Sequence, residues 1–252
     1  MLLDRRKIVN KLNDQEIEVT LLGEISSTND FFNNISRFHT PSICIAECQT
    51  QGRGRLDRSW NSPTEQNIYL SMLYKFKKNI DELSGLNLVT GLAVQAALHE
   101  YSELDIKWPN DILYENEKLA GILIETTSLG QFTYVIAGVG VNVNMEKCDI
   151  EKSWTSLRRI TGKTLDRNII IAKLINELIY SYKDFEIKGF DHFRTAWNAQ
   201  DVLRNKEISL QQEKEIFKGR SLGIDITGNL LLELDDKTIK SFSYGDTSIL
   251  SF

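Results

Sequence analysis

Apolar and polar positions along the chain change period at definable points, and each change marks an element. Glu16 to Ile25 carries apolar residues at strand spacing and reads as a first strand. Ser42 to Glu47 is short and apolar, the pattern of a buried strand, and Asn67 to Phe76 reads as another. Leu86, Val89, Ala93 and Ala97 fall at helical spacing, which predicts a central helix over Leu83 to Leu98. Ser26-Ser27-Thr28-Asn29-Asp30 supplies helix-capping residues ahead of Phe31-Phe32 and Ile35, so a helix is expected there as well. Ile112-Leu113-Tyr114 and Leu119 to Glu125 flank Glu115-Asn116-Glu117 as the arms of a hairpin. Phe132 to Val143 is a strand ending in Gly138-Val139-Gly140-Val141-Asn142. Arg167 to Phe185 is a second strong helix with Asp166 as its N-cap, and a short helix covers Asp191 to Trp197.

After Asp201 the texture shifts to short alternating runs, Glu207 to Leu210, Leu230 to Leu234 and Thr238 to Phe242, broken by Gly219, Gly223, Gly228 and Gly245. Regular short strands with turn residues predict a small β-barrel. Residues 1–200 are therefore expected to form a mixed α and β domain of catalytic size, and residues 201–252 a small all-β domain.

Composition narrows the partners. With 41% hydrophobic and 26% charged residues, the chain has the balance of an ordinary globular protein. Its net charge of -5 gives no general attraction to nucleic acid. Cys44, Cys48 and Cys148 are an odd count without metal-site spacing, and Cys44 and Cys48, inside an apolar run, read as buried free thiols. There is no signal-peptide pattern and no apolar run of membrane-spanning length, so a cytoplasmic protein without a membrane partner is expected.

Against that acidic background one stretch is strongly basic: Gly52-Arg53-Gly54-Arg55-Leu56-Asp57-Arg58-Ser59-Trp60. Arginine offers an always-charged planar fork suited to phosphate or carboxylate, and glycine lets backbone approach a ligand. The stretch reads as a mobile loop that closes on a small anion, open or disordered without it, with Trp60 as an aromatic face. Three further segments carry chemistry. Lys107-Trp108-Pro109-Asn110-Asp111 places an amide and a carboxylate at the start of a strand, where Asp111 could hold Mg²⁺ or a ribose hydroxyl. Lys118-Leu119-Ala120-Gly121 puts a point charge near a strand glycine, suited to a developing negative oxygen. In the third, Gly138, Gly140, Asn142 and Asn144 alternate on one strand face, where a flat ligand could lie against the glycines. Each also has a plain structural reading: a solvated basic turn, an Asn-Asp turn beside a structural Trp, a hairpin lysine, and a sheet face crossed closely by another element.

Taken in order, Ser27-Thr28-Asn29, Gln49 with Gly52-Arg53-Gly54-Arg55, Arg58, Trp60, Lys107-Trp108-Pro109-Asn110-Asp111, Lys118-Leu119-Ala120-Gly121 and Gly138-Val139-Gly140 with Asn142 resemble the biotin protein ligases. The resemblance implies an α+β fold: a mixed β-sheet flanked by helices, like the class II synthetases and the biotin–lipoyl ligases, with a C-terminal SH3-like barrel. It implies that biotin's carboxylate attacks the α-phosphate of ATP, with Mg²⁺, to give biotinyl-5′-adenylate. A lysine of a biotin carboxyl carrier domain then takes the biotinyl group and AMP leaves.

Carried over residue by residue, Ser27, Thr28, Asn29, Gln49, Gly52, Arg53, Arg55, Lys118, Gly121 and Gly138 would hold biotin. Arg55, Arg58, Trp60, Asn110, Asp111, Lys118 and Asn142 would hold the nucleotide. Arg55, Lys118 and Asp111 would carry catalysis, with Asp111 on Mg²⁺. Many relatives carry an N-terminal DNA-binding winged helix. Here the catalytic pattern starts near Glu16, so no DNA binding through that module is expected. Relatives also pair through sheet edges, which makes a homodimer one expectation. Leu56-Asp57 stands where a more basic pair is common. The rivals are a lipoate or octanoate ligase or transferase of the same fold, and a non-catalytic biotin sensor or SH3-like interaction module.

Overall fold

The computed structural model describes residues 2–147, 153–245 and 247–252, and Cys148 lies outside them. The larger of its two sheets has seven strands: β1 (Glu18–Ile25), β2 (Ser42–Gln49), β3 (Ile68–Phe76), β4 (Asp105–Lys107), β5 (Asp111–Tyr114), β6 (Glu117–Leu129) and β7 (Phe132–Val141). They lie in the order β1-β2-β3-β7-β6-β5-β4. β1 and β2 run parallel, and every other neighbouring pair is antiparallel.

The two-residue period of the strands assigns different work to the two faces. Ile43, Ile45, Ile68, Leu70, Met72, Ala120, Ile122, Val135, Ala137, Val139 and Val141 point into the main core. There they meet helices α1 (Arg5–Val9), α2 (Leu86–Leu98) and α4 (Arg167–Lys188). Asp166 caps α4 as expected, its side chain accepting from Asn168 N. The alternate residues, Ser71 on β3, Gly121 and Glu125 on β6, and Gly138 and Gly140 on β7, face the other way. That second face has only a small apolar cluster of Phe32, Cys44, Leu73 and Ile136, with Phe31 and Phe38 packed on it. It is the face left for a site.

The expected helix after Ser26 is instead two single 3-10 turns, Asp30–Phe32 and Ile35–Arg37. The capping residues are engaged elsewhere: Thr28 bonds Gln49, and Asn29 bonds Glu125. The hairpin expected at Glu115 is present. Glu115 and Asn116 both have positive φ, the geometry of a tight two-residue turn between β5 and β6. Sequence periodicity had not marked α1, β4 or the five-residue α3 (Leu157–Thr161).

After α5 (Asp191–Gln200) comes a five-stranded antiparallel sheet of β8 (Glu207–Gln212), β9 (Glu215–Ile224), β10 (Leu230–Glu233), β11 (Ile239–Phe242) and β12 (Thr247–Ser251), ordered β11-β10-β9-β8-β12. Gly219 and Gly223 do not break β9, which runs through both. A Cβ at Gly219 would press on the Glu233 carbonyl, so glycine is required by close packing rather than by a turn. The small sheet is bound to the large one. Trp108 Nε1 donates to Gly228 O (3.1 Å), Ser84 Oγ to Thr227 O (2.6 Å) and Val202 N to Ile106 O (3.0 Å). No helix among the described residues is long and apolar enough to cross a membrane.

Candidate functional site

The basic stretch between β2 and β3 is a folded hairpin. Arg53 and Ser59 form an antiparallel bridge, Gly54 N donates to Arg58 O (2.6 Å) and Trp60 N to Gly52 O (2.8 Å). Leu56 and Asp57 make its tip, both at positive φ (54° and 55°). Glycine is needed at the base, because a Cβ on Gly52 would stand 2.6 Å from Trp60 O and 2.8 Å from Ser62 Oγ.

The hairpin lays Trp60 on the helix-free face of the sheet. A Cβ on Gly140 would come within 2.5 Å of the indole, and one on Gly121 within 2.9 Å. The two glycines, adjacent across β6 and β7, form the flat seat of this ring. At Gly138 the space a Cβ would need is taken by Asn29 Oδ1. The glycine row thus receives the protein's own Trp60 and Asn29.

Lys118 and Asp111 meet beside the indole. Lys118 Nζ is 2.6 Å from Asp111 Oδ1 and 5.3 Å from the Trp60 ring centroid. In the β5–β6 hairpin Asp111 pairs with Gly121 and Lys118 with Leu113, with a bulge between Ile112 and Leu113, so the lysine side chain reaches back along the hairpin to the carboxylate. Both side chains are partly exposed, 34% and 23%, so the pair is wet enough to exchange partners with an arriving phosphate. The turn before β5 is tighter than an extended Trp-Pro step, because residues 108–110 turn between β4 and β5. Trp108 is buried, and Asn110 Nδ2 donates to Ile122 O (2.8 Å), which fastens β5 to β6.

Near the Trp60 end of the face, Thr28 N and Oγ1 both donate to Gln49 Oε1 (2.9 and 3.1 Å), and Gln49 Nε2 donates to Ser62 Oγ (3.1 Å). Ser27, Thr28 and Asn29 are buried, so their polar groups are held where a small ligand would need fixed donors and acceptors.

Other residues of the sequence motifs have protein partners. Asn142 is buried and donates to Thr155 O (3.0 Å) and Lys118 O (3.4 Å), bracing the backbone of the lysine. Asn144 is bound to the backbone of Leu165 at both ends of its amide. Arg55 Nη2 donates to the carbonyls of Tyr244 and Thr247 (3.2 Å for the latter), and Arg58 Nη2 to Ser248 Oγ (3.4 Å). Two of the three arginines therefore join the hairpin to β12 of the small sheet, and the third, Arg53, is ion-paired to Asp30 and Glu125. Sequence reasoning missed Asp30, Glu125, Ser62, Ser71 and the whole of β12. Only their types were visible, and nothing in their spacing tied them to the basic loop.

Comparison with known proteins bears on this arrangement. The Biotin/lipoate A/B protein ligase family matches residues 22–142, and the Biotin protein ligase C terminal domain matches residues 205–250. The bifunctional ligase/repressor BirA of Salmonella typhimurium is 36% identical over 258 residues, spanning 99% of this chain and 79% of that protein. The biotin–[acetyl-CoA-carboxylase] ligase of Mycobacterium tuberculosis is 35% identical over 78% of this chain and 75% of its own length. The Aquifex aeolicus biotin protein ligase, solved in complex with biotin and ATP, superposes with a TM-score of 0.81 at 30% identity, covering 93% of this chain and 99% of that one. The hairpin, the Lys118–Asp111 pair and the glycine seat all fall inside the first matched region, and β12 up to Leu250 inside the second. The chain belongs to the biotin protein ligase family.

Proposed function

We propose that this chain activates biotin with ATP as biotinyl-5′-adenylate and transfers the biotinyl group to a lysine of a biotin carboxyl carrier domain. The observation that carries the proposal is a convergence. Four segments distant in sequence meet around one indole: Trp60 rests on Gly121 and Gly140, Lys118 Nζ stands 5.3 Å from the ring, and Asp111 lies 2.6 Å beyond it.

Two anions must meet in the first step, and their repulsion sets the barrier. Lys118 supplies a mobile positive charge beside the phosphorus, and it strengthens as charge builds on the phosphate oxygens. Asp111 keeps that ammonium aimed until substrate arrives. Asn142 holds Lys118 in register through its carbonyl. Thr28, Gln49 and Asn29, with Ser27 and the backbone at Gly52, fix the biotin ring, so the carboxylate enters as an oriented nucleophile. Arg55 and Arg58 exchange β12 carbonyl and hydroxyl partners for carboxylate and phosphate as the hairpin grips the adenylate. Trp60 keeps water off the mixed anhydride until the carrier amine displaces AMP.

Mg²⁺ is consistent with the donors present. Sites that handle nucleotides hold it with one or two carboxylates plus substrate oxygens, and Asp111 with neighbouring Asn110 offers that set. When bound, it would neutralise phosphate charge. In domain terms, residues 1–200 bind both substrates and residues 201–252 steady the hairpin.

Pyrophosphate release tests the activation step. It should require biotin and ATP together, and in the presence of ATP biotin, not lipoate, should raise the melting temperature. Pyrophosphate release driven by lipoate instead would assign the chain to the rival ligase, and release with neither acid would leave only a binding role.

A further inference from the structure

Arg53 is held by two carboxylates that lie outside its own loop. Its Nη2 is 2.7 Å from Asp30 Oδ1 and 3.1 Å from Glu125 Oε1. Asp30 opens the first 3-10 turn, and Glu125 sits on β6 facing the helix-free side. Glu125 does more than pair a charge, because its Oε2 accepts from Asn29 Nδ2 at 2.7 Å. Asn29 Oδ1 lies 2.6 Å from Ser71 Oγ, which is 2.7 Å from Thr28 Oγ1. Thr28 donates to Gln49, Gln49 to Ser62 Oγ, and Ser62 Oγ to Trp60 O (3.2 Å). A continuous polar chain therefore leaves one foot of the hairpin at Arg53, crosses the residues that face the small ligand, and returns to the other foot at Trp60.

We propose that Glu125 and Asp30 are a latch for the hairpin, and that Glu125 couples the latch to the biotin pocket through Asn29. Both are positioning residues: they act on the site through Arg53 and Asn29. Two carboxylates sharing one guanidinium hold the strand entering the hairpin against the sheet, and the same carboxylate sets the Asn29 amide over Gly138. A pocket whose Asn29 is drawn toward a ligand pulls on the latch, and a released latch frees Asn29. The latch half stands on geometry alone, whereas the coupling half rests on the biotin reading above.

Glu125→Gln separates the parts, because glutamine keeps an acceptor for Asn29 while removing the charge that holds Arg53. Asp30→Asn removes the other charge. The experiment is hydrogen exchange of the hairpin amides at Gly54 and Trp60 in the full chain without ligand. Each variant should exchange about fivefold faster there, the size expected for losing one charge of a partly exposed network. Amides of β7 should be unchanged, which shows the fold intact. Salt at roughly 0.5 M should speed exchange in the unsubstituted chain and add little in the double variant, because screening removes the same attraction. Unchanged hairpin exchange in both variants would overturn the latch. The second readout is biotinyl-adenylate retention. Glu125→Ala, which also removes the acceptor for Asn29, should release the adenylate about fivefold faster than Glu125→Gln, with a smaller change in the single-turnover rate of its formation. Equal retention in Glu125→Ala and Glu125→Gln would overturn the coupling and leave the latch. A chain that makes no adenylate at all would overturn the biotin reading while the exchange result still stood.

Discussion

At the scale of single residues, the site depends on a lysine aimed by a carboxylate and on glycines that admit an indole. Lys118→Ala removes the charge proposed to meet the developing phosphate oxyanion, so adenylate formation should slow by about a hundredfold or more, with a much smaller effect on biotin affinity. Single-turnover quench and a biotin titration measure the two, and equal losses in both would make Lys118 a binding residue only. Gly140→Ala drives a methyl group into the Trp60 ring, which stands 2.5 Å from that position. It should cost about 1–3 kcal/mol, either in global stability or in hairpin closure, read by thermal unfolding and by proteolysis of the hairpin. These glycines were legible as places of close approach, because glycine in a strand has few other reasons to be there. Which group approaches was not legible, since Trp60 and Asn29 reach the glycines from remote segments. Asn142 shows the same limit: nothing in its type or position revealed that its amide donates to the Thr155 and Lys118 carbonyls.

Among the elements, the basic hairpin is the one on which the proposed mechanism most depends. Its tip places Leu56 and Asp57 at positive φ, and Asp tolerates that region far better than Leu. Leu56→Gly should relieve about 1 kcal/mol of backbone strain and favour the closed hairpin, visible as slower proteolysis at Arg55 and Arg58. Faster cleavage would show that the exposed leucine side chain contributes more than its backbone costs. The long elements were readable because their periodicity is strong: β3, β7, α2 and α4 fall where the apolar spacing puts them. Thr28 and Asn29 were misread as helix-starting residues because capping types are equally suited to long-range polar contacts. The basic loop was expected to be open, since no local sequence rule reveals that its arginines have protein partners in Asp30, Glu125 and β12. Short elements such as β4 and α1 carry too few residues for a period to show.

Across the whole molecule, the small sheet is joined to the rest of the chain at the hairpin through Arg55 and Arg58, at the joint near Asp201, and at the turn of residues 227 and 228 through Trp108 and Ser84. Arg55→Ala should both loosen the hairpin from β12 and remove the charge proposed to grip the phosphate, so biotinyl-adenylate should leave the enzyme at least about tenfold faster, in line with losing a charge-assisted contact. Unchanged retention would remove Arg55 from the grip. At the joint, burial raises the Asp201 carboxyl to about 7, with the Leu203 N–H and the Arg204 and Lys206 charges offsetting only part of the effect. A carboxyl whose pKa is raised on folding binds more protons in the folded state between its unfolded value near 3.8 and about 7. Its contribution is therefore fully favourable below that window and is lost as pH rises through it. Asp201→Asn should flatten the decline, gaining up to about 1.4 kcal/mol per pH unit relative to the unsubstituted chain across the window, as measured by denaturant unfolding. An identical pH profile in the variant would place the cause elsewhere.

The central claim, ATP-driven biotinylation of a carrier domain, is tested most directly by transfer. The purified chain is incubated with labelled biotin, MgATP and a biotin carboxyl carrier domain. The predicted result is label on one carrier lysine, dependent on ATP, with AMP released in equal amount and the transfer lost in Lys118→Ala. No label on the carrier, or efficient transfer of lipoate in place of biotin, would contradict it.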